Sequence, residues 1–127
     1  MNIIEHFVNG KKFSGDSKRI SKVFNPATGE QSAEVKLASA QDTNTAVEAA
    51  KIAFVSWSKK PPLQRARVMF KFKEIIEKNF EELTKIIVSE HGKVFEDARG
   101  EITRGLEVVE FACGIPQLLK GEFTENV

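Results

Sequence analysis

Glu90-His91-Gly92-Lys93, followed eleven residues on by Arg104-Gly105-Leu106-Glu107-Val108-Val109-Glu110-Phe111-Ala112-Cys113-Gly114, holds the end of one helix and the body of another. Glycine is favoured just past a helix C-terminus, so Gly92 ends one helix. A second helix runs from about Val94 to Gly114. Along it Val94, Ala98, Ile102, Gly105, Val109 and Ala112 recur at three- and four-residue spacing and form one apolar stripe. Arg104 stands two residues past Ile102, about 200° round the helix at roughly 100° per residue, and points away from that stripe. Two readings of it are open. It is a surface arginine pairing with Glu101 and Glu107 at i±3, or a guanidinium aimed into a cleft to grip an anion at two points.

Three further helices precede this one. Asn79 with Glu82 reads as an N-cap with its capping box, and Leu83, Ile86 and Ile87 face inward from there to Gly92. Pro61-Pro62 ends one unit and opens the next, since proline is tolerated in a first helical turn. Val68, Phe72, Ile75 and Ile76 supply the apolar face of the helix it opens. Ser39 with Asp42 is a capping box with a shortened acid, and Val47, Ala50, Phe54 and Trp57 share one face behind it. Gly114-Ile115-Pro116 bends or ends the Arg104 helix, because proline lacks the helical N–H donor.

Before Ser39 the period changes to two. Residues 6–13 read as a hairpin turning at Asn9-Gly10, with Phe7 and Phe13 on its arms. Gly15-Asp16-Ser17 interrupts the pattern, Arg19 to Phe24 is a weaker strand, and Asn25-Pro26 through Gly29 is a turn. Gln31 to Leu37 alternates, with Ala33, Val35 and Leu37 on one face. Strands first and helices after predict a segregated α+β fold: an N-terminal β-hairpin and short strands followed by about four α-helices. Residues 1–38 are strands and turns, residues 39–121 are helical, and 1–127 make one incomplete domain.

Composition narrows the function. A net charge of +1 gives no global attraction to nucleic acid or an anionic membrane. The longest uncharged run, Phe111 to Leu119, is far short of the roughly 20 apolar residues a membrane span needs. No basic region followed by an apolar core opens the chain, so no signal peptide is expected. One cysteine forms no internal disulfide, which fits a reducing compartment. Lys59 to Lys73 is basic without an acid, but Arg65, Arg67, Lys71 and Lys73 fall at roughly 0°, 200°, 240° and 80° around a helix. That scatter is a solvated surface rather than a nucleic-acid stripe.

Little catalytic chemistry is visible. Cys113 lies inside a helix without a basic residue within one turn, and such a cysteine behaves as a small hydrophobe. His6, His91 and Cys113 have no metal-ligand spacing. Gly100 and Gly105 have the glycine spacing of a phosphate loop but lie in a helical pattern without the following lysine, and no Gly-x-Gly-x-x-Gly exists. The Asn25–Gly29 segment reads as a plain connecting turn. His91 reads as a helix C-terminal residue, where the dipole favours partial positive charge.

The order Phe7-Val8-Asn9-Gly10-Lys11, Phe24-Asn25-Pro26-Ala27-Thr28-Gly29-Glu30, Ala53-Phe54-Val55-Ser56-Trp57 and Glu90-His91-Gly92-Lys93 resembles the start of an aldehyde dehydrogenase. The run from Gly100-Glu101 through Arg104-Gly105 to Val109-Glu110-Phe111-Ala112-Cys113, with Leu118-Leu119-Lys120-Gly121-Glu122, resembles the CoA-acylating methylmalonate-semialdehyde (malonate-semialdehyde) branch. The resemblance implies part of the NAD domain of an enzyme that uses NAD and coenzyme A to oxidise a small carboxylated semialdehyde. It places the cysteine nucleophile and the NAD site beyond residue 127, so this segment alone has no catalytic, cofactor-binding or metal-binding residue and is expected to be inactive. It assigns Arg104 to the substrate carboxylate. Another aldehyde dehydrogenase, such as one for succinate semialdehyde, or a non-catalytic helical interaction fragment are the alternatives. The stop at Glu122-Phe123-Thr124-Glu125-Asn126-Val127, where the subunit-pairing β-arm of such enzymes follows, points to truncation of a larger enzyme. Self-association, no nucleic acid, no membrane, and a cytoplasmic or mitochondrial-matrix location complete the expectations.

Overall fold

A computed structural model describes residues 2–122 and Glu125. Phe123, Thr124, Asn126 and Val127, on which the truncation expectation partly falls, lie outside the described residues. Five short strands precede five helices, which agrees with the segregated α+β reading. The chain divides into two compact units, residues 1–59 with 90–92, and residues 60–89 with 93–127.

The first unit holds all the strands. β2 (His6–Val8) and β3 (Lys11–Phe13) pair antiparallel as the expected hairpin. Its two turn residues, Asn9 and Gly10, have φ of 52° and 76°, the sign a type I′ turn needs to match strand twist. β4 (Ile20–Phe24) and β5 (Gln31–Lys36) pair antiparallel across the Asn25–Gly29 turn. β1 (Asn2–Ile4), which the sequence pattern does not reveal, adds to β5 in parallel with Asn2 opposite Ala33, giving the order β1-β5-β4. Three residues are too few to show a period of two, so only the pairing defines this strand. Ala33 is buried and Val35 half-buried as expected, but Leu37 lies just past β5 and is exposed.

α1 (Ala40–Trp57) starts from the expected box: Asp42 N–H donates to Ser39 Oγ at 3.0 Å, and Ser39 N–H donates to Asp42 Oδ2 at 2.8 Å. Val47, Ile52, Phe54, Val55 and Trp57 along it are all exposed.

The second unit contains α2 (Pro62–Lys78), most of α3 (Phe80–His91), α4 (Phe95–Cys113) and a single-turn α5 (Ile115–Leu118) that the expectation of about four helices did not include. Pro116 begins α5 where α4 stops, as a proline in a first turn does. The core is made of small side chains: Ala66, Thr84, Ala98, Ile102, Val109 and Cys113. Fully buried Thr84 has its hydroxyl satisfied by the Phe80 carbonyl at 2.8 Å.

Three packing expectations are corrected. Asn79 is the C-cap of α2, and its Nδ2 donates to the Ile75 carbonyl at 2.7 Å. Its carbonyl accepts the Leu83 N–H at 2.9 Å, so its backbone stands at the start of α3 while its side-chain amide is bonded to the helix before it; no side-chain box with Glu82 is seen among the described residues. Within α4 the buried set is Ala98, Ile102, Val109 and Cys113; Val94, the N-cap, is 67% exposed, Gly105 is exposed and Ala112 is half-buried. Ile86, expected inward, is exposed, while Leu83 and Ile87 are half-buried. These last three line an apolar groove of about 690 Å³ with Phe72, Ile76 and Leu106.

Two charged contacts fasten the helices of this unit. Arg99 on α4 pairs with Glu81 and lies 5.1 Å from the centre of the Phe80 ring. Lys73 on α2 contacts Glu77 and reaches Glu110 on α4 at 3.2 Å. The hydrogen bonds to Glu77 and then Glu110 raise the Lys73 ammonium above its ordinary pKa. Lys71 pairs with Glu74, so two residues of the basic Lys59–Lys73 run are neutralised locally.

Candidate functional site

Two sequence features of the opening stretch end in different places. The first is a knot in the strand-bearing unit. Asn25 organises its turn with both backbone and side chain: Gly29 N–H donates to the Asn25 carbonyl at 2.8 Å, and Ala27 N–H donates to Asn25 Oδ1 at 2.9 Å. Asn25 N–H closes the loop onto the Glu30 carbonyl at 2.9 Å. Gly92, just past the end of α3, sits against this turn with φ of 76°. A Cβ there would come within 3.0 Å of Pro26 Cγ and 3.2 Å of the Ala27 nitrogen. Gly92 therefore terminates a helix and also admits the Asn-Pro-Ala turn, so two motifs distant in sequence meet as one packed element. His91 is the last residue of α3 and exposed.

The second place is the outer face of α4. Nineteen regular residues in α4 fix the direction of each side chain at roughly 100° per residue. Arg104 is exposed, opposite the buried set, as its position relative to Ile102 required. Helical side chains lean toward the N-terminus, and the Arg104 guanidinium lies back over Gly100: a Cβ on Gly100 would stand 3.2 Å from Arg104 Nη1. Among the described residues no ion pair of Arg104 within 4.0 Å is seen. Glu101 instead contacts Lys93.

The face around Arg104 carries exposed apolar side chains beside the exposed acids Asp97 and Glu107. Val108 and Phe111 follow it by four and seven residues, on the same side of the helix, and are 68% and 67% exposed. A permanently charged group flanked by a glycine and two bare apolar side chains is chemically suited to one anionic group presented in an otherwise apolar cleft. The recurrence of Arg104, Val108 and Phe111 at i, i+4 and i+7 is readable in the sequence, but the apolar stripe on the other side of the helix masks it.

The remaining sequence candidates do not join Arg104. Cys113 is nine residues on, about 180° round α4, and is a buried free thiol. Gly100 and Gly105 are in the body of α4, not in a loop. Among the described residues no three His, Cys, Asp or Glu side chains gather as a metal site, and no helix is long and apolar enough to cross a membrane.

Comparison with known proteins places the chain in a family. The aldehyde dehydrogenase family model matches residues 13–126. Malonate-semialdehyde dehydrogenase of Pseudomonas aeruginosa is 44% identical over all 127 residues, which correspond to 25% of its length. Among solved structures, methylmalonate-semialdehyde dehydrogenase from Oceanimonas doudoroffii superposes with a TM-score of 0.95 and 49% identity, covering 100% of this chain and 26% of its own. A Sinorhizobium meliloti protein assigned to the same activity, crystallised with NAD, gives a TM-score of 0.94 and 50% identity over 98% of this chain and 26% of its own. The chain spans about a quarter of the length of the relatives it matches.

Proposed function

The chain belongs to the aldehyde dehydrogenase family, and from that premise we propose that it is the N-terminal portion of an NAD-dependent, CoA-acylating methylmalonate- or malonate-semialdehyde dehydrogenase. In this reading Arg104 binds the carboxylate of the substrate. The observation that carries it is the placement of Arg104: exposed on α4, without an ion pair within 4.0 Å, and bordered by exposed Val108 and Phe111. Identity of 44–50% to proteins named for these two semialdehydes supports the choice of substrate.

The chemistry assigned to this chain is binding and orientation. A semialdehyde carries one fixed negative charge and one reactive carbonyl. Clamping the carboxylate with a planar, always charged guanidinium sets the direction in which the carbonyl end projects. Val108 and Phe111 would shed water beside the pair and strengthen it.

The described residues do not fit NAD or coenzyme A. A pyrophosphate is held by free amides at a helix N-terminus, and each long helix here closes that option. Asp42 places a carboxylate on the first turn of α1. Pro61 and Pro62 remove amide donors at the start of α2, and acids occupy the first turns of α3 (Glu81, Glu82) and α4 (Glu96, Asp97).

The test is Arg104→Leu in the complete enzyme. A charge-assisted contact in a partly dry cleft contributes on the order of 1.5–3 kcal/mol. The expected loss in kcat/KM for malonate semialdehyde is therefore roughly ten- to a hundredfold at about 1.4 kcal/mol per decade, with propanal largely spared. Equal, small changes for both substrates would return Arg104 to the surface and remove the substrate assignment.

A further inference from the structure

Arg104 has an acidic competitor on its own helix. Glu101 precedes it by three residues, the spacing and polarity at which a helical ion pair forms readily. That pair would occupy the guanidinium that a substrate carboxylate needs. The structure shows two features that work against it. Lys93, just before α4, makes an ion pair with Glu101 across eight residues. Its side chain is 17% exposed, the most buried partner in any ion pair among the described residues. The second feature is Gly100. Around the helix Gly100 and Glu101 fall about 40° and 60° to opposite sides of Arg104. The guanidinium lies on the Gly100 side, in space that any larger residue there would fill.

We propose that Lys93 is a positioning residue for substrate recognition: by holding the Glu101 carboxylate it leaves the Arg104 guanidinium open to the carboxylate of the semialdehyde. The inference rests on the reading of Arg104 given above. Lys93 itself touches no substrate. Its removal would take this contact away from Glu101, whose carboxylate then competes for Arg104 and repels the incoming anion.

The experiment compares Lys93→Met, Lys93→Arg, Glu101→Gln and the double variant Lys93→Met/Glu101→Gln in the complete enzyme, with malonate semialdehyde and propanal as substrates. Lys93→Met is expected to raise KM for malonate semialdehyde roughly two- to fivefold, the scale of a surface ion pair, with kcat and the propanal parameters unchanged. Lys93→Arg keeps the pair and should keep KM. Adding Glu101→Gln to Lys93→Met should restore KM, because the released competitor is gone. An unchanged KM in Lys93→Met overturns the proposal, as does a rise that persists in the double variant, or an equal loss with both substrates. Arg104→Leu run alongside separates the two failures. If it abolishes the preference for the carboxylated substrate while Lys93→Met does nothing, the Arg104 reading stands and the Lys93 proposal falls.

Discussion

Asp42 is 3% exposed and joins two parts of the first unit through one carboxylate. It accepts from the Ser39 amide and hydroxyl, each at 2.8 Å, and from the Asp16 amide at 2.8 Å. These bonds favour the charged form, the Ser39 amide most and the Asp16 amide next, and outweigh the opposing effect of burial; the carboxyl is lowered from 3.8 to about 2. A folded-state pKa below the unfolded one contributes stability that is complete above the unfolded value and is lost as pH falls through the folded value. The Asp16 loop and the start of α1 should therefore loosen between about pH 4 and pH 2. Hydrogen exchange at the Asp16 and Ser39 amides, corrected for intrinsic rates, should show protection falling across that window. Asp42→Ala should show low protection already at pH 6. Flat protection from pH 6 to pH 2 in the unsubstituted protein would contradict the linkage.

At the level of elements, the end of α3 and the Asn25–Gly29 turn form one joint whose tolerance is set by glycine geometry. Gly29 and Gly92 both have positive φ, 74° and 76°. They differ in surroundings: a Cβ on Gly29 meets nothing within 4 Å, whereas one on Gly92 meets Pro26 and the backbone of Ala27. Gly29→Ala should cost only the left-handed penalty, about 1–2 kcal/mol. Gly92→Ala should cost more, because backbone must also move, and by order of magnitude another 1–3 kcal/mol. Thermal denaturation of the two variants checks the order; equal shifts would mean that the turn is not seated on Gly92. The same kind of local competition explains Asn79. An asparagine between two helices can cap either, and here its amide is bonded to the Ile75 carbonyl.

For the whole molecule, exposed apolar surface is the dominant fact. The accessible area is 9915 Å². A self-contained folded protein of this mass has about 6,800 Å², and two separate proteins of half the mass about 8,200 Å² in total. Exposed apolar side chains line named faces: Ile52, Phe54 and Val55 on α1, Val68, Phe70 and Phe72 on α2, Val108 and Phe111 on α4. Apolar patches on this scale are covered in working proteins. The 127-residue chain on its own is expected to self-associate, with light-scattering mass rising with concentration. A strictly monomeric mass at high concentration would show that these faces do not drive association.

The amino-acid sequence by itself determined whatever depends on a few neighbouring residues. Asn9-Gly10 set the hairpin, Ser39 and Asp42 the start of α1, Pro61-Pro62 the opening of α2, Gly92 the end of α3, and the spacing of Ala98, Ile102 and Val109 the span of α4. Turn dihedrals and i to i+4 bonds are short-range, so their signals stand in the local order of residues. The outward placement of Arg104 was legible for the same reason. Tertiary structure alone decided what depends on distant neighbours. β1 exists because β5, some thirty residues later, offers an edge. Val94, Ile86 and Leu37 are apolar like Ile102 and Val109, yet they stay exposed because the described residues around them cover them only in part. Lys93 meets Glu101, and Gly92 meets Pro26, across separations that carry no periodic signal. Burial and pairing across the fold are properties of two surfaces at once, and a single stretch of sequence specifies only one of them.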